Sequence, residues 1–196
     1  MRSRGSAALH SVPLPQTEPE LSDDDLMRGA AEHDQAAYAV LVRRHQARVR
    51  AYCGRWCGSG VIGDDLAQEC FVEVWQHRQS YVPQGKFRSY LFRIAANRCK
   101  NQQRNRQREQ ALHEAHTVES PEPESQRLLA NERRQRVQQC VAKLSEGQRE
   151  AVLLRYSAEL DYAEIASLLA VPEATARSRV FLGLIKLRRL LRTERP

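Results

Sequence analysis

The sequence predicts an all-α fold with two small helical domains joined by a flexible acidic linker. Apolar residues recur at three- and four-residue spacing along most of the chain, as on the buried side of amphipathic helices. Alternating β-branched runs bounded by turn residues, which predict strands, are missing. Residues 109–126 hold five glutamates and two prolines and are too polar to bury a core. We therefore predict domains over 23–108 and 127–192, a disordered arm over 1–22 and a tail over 193–196.

The composition narrows the class of partner. The chain of 196 residues is long enough for one large or two small domains, and its formal net charge is +7. Excess Lys and Arg favours a polyanionic partner, either nucleic acid or an acidic membrane surface. No apolar run approaches the ~18 residues that span a bilayer, and the short apolar stretch Ala7–Leu9 ends at His10, unlike a secretory signal. We expect the chain to act in the cytoplasm.

The five cysteines do not have the spacing of a disulfide framework. Cys53 and Cys57 lie four residues apart on a predicted helix, where a redox or metal pair is one interpretation. His113 and His116 are the closest-spaced histidine pair, but they fall in the polar linker. Because a free cysteine behaves as a small hydrophobic residue, we interpret the cysteines as ordinary core or surface residues. We predict neither a metal nor a cofactor.

Capping and turn residues divide the first domain into successive helices. Ser22 is a predicted N-cap, and Asp23–Asp25 place acid in the first turn of the helix that follows. The break at Gly58–Gly60 and the loop around Pro83 then separate longer segments with helical periodicity. These segments cover residues 37–57, 64–78 and 87–107.

The last two of these helices differ in the charge of their exposed sides. The helix over 64–78 turns acidic and amide side chains away from its apolar stripe, which suits a basic protein partner. Compensation of the helix dipole accounts only for the acids of its first turn. The stretch 86–108 instead holds eight basic residues and no acidic one, interleaved with Phe87 and Tyr90. Cations follow a phosphate backbone and aromatic rings stack on unpaired bases, so we predict contact with opened DNA, with a solvated basic face as the alternative.

The stretch from Asp161 to Val180 predicts a helix-turn-helix. Asp161 and Glu164 have the spacing of a capping box, with Asp in place of Ser or Thr. Pro172 ends the first helix and suits the first position of the second. The apolar residues of the second helix share one face, namely Ala176, Val180, Leu184, Leu187 and Leu191. Small and basic side chains remain on the other face, as in a helix that enters the major groove; a hairpin of two helices with a basic surface is the alternative.

Four motif blocks resemble those of bacterial RNA polymerase sigma factors, and the short two-domain form resembles the extracytoplasmic function group of the sigma-70 family (group 4). The blocks are Asp65–Trp75, Phe87–Asn97, Leu144–Tyr156 and the helix-turn-helix, and the resemblance covers about residues 25–192. It implies a factor that directs the polymerase core to promoters by recognising the minus-35 and minus-10 elements and opening DNA. It also implies no catalytic residues and no small-molecule substrate.

The resemblance further implies a role for each block. The first block would bind the β′ clamp helices of the core through Asp65, Gln68, Glu69 and Glu73. The second would read and melt the minus-10 element through Lys86, Phe87, Arg88, Tyr90, Arg93, Asn97, Arg98, Lys100 and Arg104. The second helix of the helix-turn-helix would read the minus-35 element through Thr175, Arg177, Ser178, Arg179 and Phe181. The implied partners are promoter DNA, the core with its β flap, and an anti-sigma factor able to hold the chain at the inner membrane, away from the nucleoid.

The sequence departs from the family pattern at four positions. Tyr90 stands where Trp is usual, Asn101 where Asp is usual, Phe181 where a polar residue or His is common, and Gly183 where Ala is common. A glycine inside a helix costs about 1 kcal/mol relative to alanine. The departures at 181 and 183 fall on the predicted recognition helix and bear on promoter choice.

Two other functions compete with this interpretation. A helix-turn-helix repressor or activator would bind duplex DNA as a dimer without the polymerase core, which leaves the first domain unused. A nuclease would need clustered metal-binding acids, and the adjacent Asp23, Asp24 and Asp25 cannot all face one ion from a helix.

Overall fold

The computed structural model describes residues 21–112 and 128–193. Within these ranges the chain is helical and has no strand, which confirms the all-α prediction. The helices are α1 (Asp23–Ala31), α2 (Gln35–Cys57), α3 (Gly60–Gln76), a 3-10 turn (Arg78–Ser80), α4 (Phe87–Leu112), α5 (Leu128–Ala142), α6 (Glu146–Tyr156), α7 (Tyr162–Leu169) and α8 (Glu173–Thr193). The predicted arm up to residue 20, the linker from His113 onward and the last three residues of the tail lie outside the described residues.

Local capping chemistry sets the helix boundaries of the first domain. Ser22 accepts a hydrogen bond from the Asp25 amide at 3.1 Å, and Asp25 accepts one from the Ser22 amide at 3.3 Å, so the predicted cap is a full capping box. Gly58 closes α2 in the left-handed conformation at φ 70°, and Ser59 caps α3. Because Ser59 caps it, α3 begins at Gly60, one turn before the predicted start at Asp64.

Helix α4 runs beyond its predicted end near Gln107. It continues to Leu112, so the first residues of the predicted linker are helical. Arg, Gln and Glu dominate this extension, and all of them are good helix formers. Helix propensity therefore prolongs α4 where composition alone predicted a linker.

Helices α1 to α4 enclose the core of the first domain. Its largest fully buried side chains include Met27, Leu41, Tyr52, Leu91 and Phe92. Helices α2 and α3 approach most closely at two glycines, where a Cβ on Gly63 would lie 2.5 Å from the Cα of Gly54. A side chain at that crossing would force the helices apart.

Helices α5 to α8 form the second domain, and its core surrounds the helix-turn-helix. Leu154, Leu160, Ile165 and Val180 are fully buried. A Cβ on Gly183 would lie 2.7 Å from Cγ2 of Val152, so α6 and α8 pack closely at this glycine. The close approach accounts for a glycine at a position where alanine would favour the helix.

The two domains also pack against each other, and their buried residues form one continuous cluster. Helix α2 contacts α5 and α6, and α4 contacts α7. Lys100 Nζ lies 2.7 Å from Oε1 of the buried Glu150, and Arg55 donates to the Ser157 hydroxyl at 2.9 Å. At the edge of the contact, Arg48 pairs with Glu159 at 2.8 Å. The second domain thus rests on helices α2 and α4 of the first.

Candidate nucleic-acid interface

The helix-turn-helix has the local structure that the sequence predicts. Asp161 accepts from the Glu164 amide at 2.7 Å, and Glu164 accepts from the Asp161 amide at 2.9 Å, which confirms the capping box. Ala170 ends α7 in the left-handed conformation at φ 51°. The predicted helical position of Pro172 is wrong by one residue. α8 begins at Glu173, and the carbonyl of Pro172 accepts from the Thr175 and Ala176 amides as a cap does.

The exposed side of α8 carries the residues predicted to read the minus-35 element. Arg177, Ser178 and Phe181 are exposed, with 62% of Phe181 open to solvent, while Thr175 and Arg179 are partly buried. The opposite side packs inward through Ala176, Val180 and Gly183. Because one face is buried and the other open, the helix is presented as a groove-reading helix must be.

The two arginines predicted to read the minus-35 element each contact a neighbouring element. Arg177 donates to Glu173 at 2.6 Å, and its guanidinium carbon lies 4.7 Å from the ring centre of Tyr162 on α7. The Arg179 guanidinium lies against α6, where a Cβ on Gly147 would sit 3.3 Å from it. Pairing and stacking reduce the rotamer entropy that each side chain loses on meeting a ligand.

A second candidate surface lies at the start of α4. A cleft of about 530 Å³ separates the segment from Ser80 to Arg93 from helix α7. Tyr81, Lys86, Tyr90 and Arg93 line one wall, and α7 lines the other with Asp161 and Glu164 among its residues. Burial first, and then the charge of Glu73, raise the pKa of Tyr90, so its ring stays neutral at physiological pH. A neutral, partly exposed ring between two cations can stack on an unpaired base.

The loop before α4 is tied down by a residue that the sequence did not point to. Asp24, on α1, accepts a hydrogen bond from the Tyr81 hydroxyl at 2.6 Å and one from the Gly85 amide at 2.5 Å. The three consecutive aspartates suggested helix capping, but in the structure Asp25 caps α1, whereas Asp24 bonds to the loop before α4. Asp24 therefore positions the wall of the cleft.

The residues predicted to contact the minus-10 element fall into three groups. Lys86, Arg93, Asn97 and Arg104 are exposed, and Tyr90 is partly exposed. Three cations are engaged within the protein, namely Arg88 with Glu164, Arg98 with Glu69 and Glu73, and Lys100 with Glu150. Phe87 is a correction: its ring is only 2% exposed and packs against His45 and Tyr81, so it belongs to the core.

The residues predicted to bind the polymerase core lie along one exposed side of α3. Asp65 and Gln68 are exposed, so both side chains can contact another protein without rearranging. Glu69 and Glu73 both bond to Arg98 of α4, at 2.8 Å and 2.7 Å. Arg98 thereby fixes two carboxylates of this side, and its own pKa is raised by the hydrogen bond to Glu73.

The described part of the chain contains neither a membrane-spanning helix nor a metal-binding cluster. None of its helices combines the length and the apolar character that crossing a membrane requires. Among the same residues, no three His, Cys, Asp or Glu side chains converge on a point that could hold a metal ion.

An exposed helix-turn-helix, joined to a domain with an acidic helix and a basic aromatic helix beside a cleft, defines a DNA-binding transcription factor with a further protein contact. Comparison with known families is more specific. The family model described as Sigma-70 region 2 matches residues 41–109, and the one described as Sigma-70, region 4 matches residues 134–187.

Similar proteins support the same family. The chain is 31% identical over 173 residues to the ECF RNA polymerase sigma-E factor of Escherichia coli strain K12, which covers 83% of this chain and 90% of that protein. The fold resembles that of CnrH, solved with the cytosolic domain of CnrY, at 24% identity and TM-score 0.70, over 88% of this chain and 99% of that one. It also resembles the sigma factor RpoE of Bartonella quintana, solved with the anti-sigma factor NepR, at 23% identity and TM-score 0.66, over 81% and 98%.

The chain belongs to the sigma-70 family of RNA polymerase sigma factors, in its extracytoplasmic function group. It is a promoter-directing transcription initiation factor, as the resemblance in its motif blocks implied.

Proposed function

We propose that this sigma factor reads the minus-35 element with the exposed side of α8. The observation that carries the proposal is that this side is open while α7 and α6 hold the other. The proposed contacts are Thr175, Arg177, Ser178, Arg179 and Phe181. Small side chains let the helix sit deep in the major groove, and the flanking arginines reach base edges or phosphates. Phe181 offers an apolar contact to a thymine methyl group.

The start of α4, which forms the first-domain wall of the cleft, is the proposed place of minus-10 opening. Lys86, Tyr90 and Arg93 line the cleft, and Asn97 and Arg104 continue the exposed side of the same helix. An unpaired base that leaves the duplex would stack on Tyr90 while the cations follow the strand backbone. Arg88, Arg98 and Lys100 join this surface once DNA competes with their present carboxylate partners.

The acidic side of α3 is the proposed contact with the polymerase core. Asp65, Gln68, Glu69 and Glu73 would meet the β′ clamp helices, because an acidic side of this kind suits a basic surface on a protein partner. The second domain would meet the β flap. With binding energy from these contacts, the protein would act as a polymerase subunit rather than as an enzyme.

An anti-sigma factor is a proposed second partner. The similar fold from Bartonella quintana was solved with one, and we extend that partnership to this chain. The polymerase and the nucleoid place the activity in the cytoplasm, and an anti-sigma factor anchored in the inner membrane would hold the protein there. Its contact would compete with the core.

The direct test is transcription with purified core polymerase on DNA from the source genome. We expect specific start sites that depend on the protein, and co-elution of the protein with the core. Footprinting on duplex DNA without core separates this function from that of a repressor, which would protect its site alone. Absence of both start sites and core binding would overturn the proposal.

Replacing one recognition arginine tests the assignment of α8. Arg177→Ala should weaken binding of the polymerase complex to the upstream element by about 1–3 kcal/mol if the contact is bidentate to a base. Arg188→Ala, which removes an exposed cation from the same helix outside the proposed contact, serves as the matched control. Equal promoter affinity of the two variants would remove Arg177 from the interface.

A further inference from the structure

One cysteine of the first domain borders a cavity that is lined by three arginines and by neutral polar residues. Cys57, at the last position of α2, is partly exposed in the wall of a cavity of about 180 Å³. Arg55, Arg106 and Arg149 line the same cavity, together with Trp56, and none of the described residues that line it is acidic. Arg149 lies over the ring of Trp56, with its guanidinium carbon 5.7 Å from the ring centre. A thiolate in such surroundings is stabilised by the nearby positive charges.

A second thiol stands directly behind Cys57. Cys99, buried on α4, lies close enough to interact with the sulfur atoms of both Cys57 and Cys53. The interaction with Cys99 lowers the pKa of Cys57, burial and the charge of Cys53 oppose the change, and the charges of Arg106 and Arg149 assist it. Cys53 and Cys70 lie further inside the core, and both are fully buried. The cluster therefore has one member at the cavity and a partner thiol at its back.

We propose that Cys57 is a redox-reactive cysteine that a hydroperoxide oxidises, with Cys99 as its resolving thiol. A reactive thiol needs thiolate character, partial exposure and a neighbouring resolving cysteine, and this place in the fold provides all three. Ordinary core packing accounts for the burial of Cys99 but not for the three arginines around Cys57.

The reaction balances with a hydroperoxide as the oxidant. The Cys57 thiolate attacks one peroxide oxygen, the O–O bond breaks, and the other oxygen leaves as water after taking the proton that Cys57 released. The resulting Cys57 sulfenic acid is attacked by the Cys99 sulfur, whose proton passes to the departing oxygen as a second water forms. Two thiols lose two electrons and two protons, and hydrogen peroxide is reduced to two waters.

The product would lie where the domains meet. The disulfide would tie the end of α2 to α4, and Gln138 and Arg149 of the second domain line the same cavity. Oxidation would thus place a covalent link beside the contact between the domains.

The test uses the reduced full-length chain and hydrogen peroxide, followed by alkylation of the remaining thiols and peptide mapping. Arg55 separates Cys53 from Cys57, and Asp64 and Asp65 separate Cys57 from Cys70, so trypsin with an aspartate-directed protease isolates each thiol. We expect a Cys57–Cys99 peptide lighter by two hydrogens. Cys57 should react on the order of tenfold faster than Cys140, a buried cysteine on α5 outside the cluster.

Variants check the order of events. In Cys99→Ser, a 1,3-diketone should trap sulfenic acid at Cys57, and in Arg106→Gln the oxidation of Cys57 should slow. Cys140→Ser should form the same disulfide at the same rate as the unaltered chain. Oxidation of Cys57 no faster than that of Cys140 in the unaltered protein, or a disulfide between other cysteines, would overturn the proposal without any variant having to fold.

Discussion

Asp24 shows how one side chain of α1 can shape a surface that belongs to α4. Its carboxylate accepts from the Tyr81 hydroxyl and from the Gly85 amide, and so holds the loop that forms a wall of the candidate minus-10 cleft. Hydrogen bonds to charged groups contribute about 1.5–3 kcal/mol each. Asp24→Ala should therefore speed amide hydrogen exchange in the segment 81–86 by on the order of tenfold or more.

A neighbouring aspartate provides the control for that measurement. Asp25→Ala removes an acid from the same helix and its bonds to Ser22, but Asp25 makes none of the described bonds to the loop. If the two variants accelerate exchange in the segment 81–86 equally, the loop responds to loss of the α1 cap and Asp24 has no specific role.

Asp23 couples the first domain to pH. It lies 2.8 Å from Nε2 of the buried His45 and 2.5 Å from Nη1 of Arg44. Burial alone would raise the pKa of Asp23, but the hydrogen bonds from His45 and Arg44, with their charges, outweigh it and lower that pKa. The stabilisation is therefore fully present above the unfolded pKa of about 3.9 and is lost as pH falls through the lower folded pKa.

Asp23→Asn is the variant that tests this coupling. At pH 7 it should lower the free energy of unfolding by about 1–3 kcal/mol, because a charge-assisted pair is lost. The difference from the unaltered protein should shrink as pH falls below about 4, where the carboxylate of the unfolded chain takes up a proton, until the folded carboxylate is neutral as well. Urea unfolding at a series of pH values measures it, and a difference that stays constant down to pH 3 would contradict the assignment.

At the scale of elements, the crossing of α2 and α3 depends on a pair of glycines. Gly63→Ala would place a methyl group 2.5 Å from the backbone of Gly54, and backbone cannot rotate away as a side chain can. We expect a loss of about 1–3 kcal/mol or more from overpacking. Gly60→Ala on the same helix meets nothing within 4 Å and should be neutral or stabilising by up to about 1 kcal/mol. Thermal unfolding measures the stability of the two variants. Equal stability would show that the crossing of α2 and α3 does not require a glycine at position 63.

The helix-turn-helix could be predicted from sequence because its signals are local. The capping box at Asp161, the stop near Pro172 and the apolar face of α8 each depend on residues a few positions apart. By helix propensity alone, Gly183 lowers the stability of α8. The close approach of Val152 explains why a glycine stands there. Packing between distant elements, which leaves no local trace, is what the sequence could not reveal.

The basic helix α4 shows the same division. The charge and the aromatic residues of α4 are evident from the sequence. The sequence does not show which of these side chains are exposed and which are buried or paired within the protein. Phe87 turns into the core, and Arg88 and Lys100 pair with carboxylates that lie more than 40 residues further along the chain. Long-range pairs of this kind arise from the packing of the two domains.

At the scale of the whole molecule, the contact between the domains is incompatible with simultaneous binding of both promoter elements by the two surfaces proposed above. The elements lie about 25 base pairs apart, or roughly 80 Å of duplex at 3.4 Å per base pair. A compact protein of this length is only about 40 Å across. In addition, Arg88 and Lys100, which we assign to the minus-10 surface, are bound to Glu164 and Glu150 of the second domain. Promoter binding therefore requires the domains to separate.

Weakening the contact outside the DNA-binding surfaces should shift the protein toward the separated form. Arg48→Ala with Arg55→Ala removes the bonds to Glu159 and Ser157, each worth about 0.5–1.5 kcal/mol, so the separated population should rise by on the order of tenfold. The radius of gyration from small-angle X-ray scattering should increase while helical content stays unchanged. Arg50→Ala, which removes an exposed ion pair to Asp64 within the first domain, should leave the scattering as it is. If the double variant scatters like Arg50→Ala, these bonds do not hold the domains together, and separation must be opposed mainly by the apolar contact and by Lys100–Glu150.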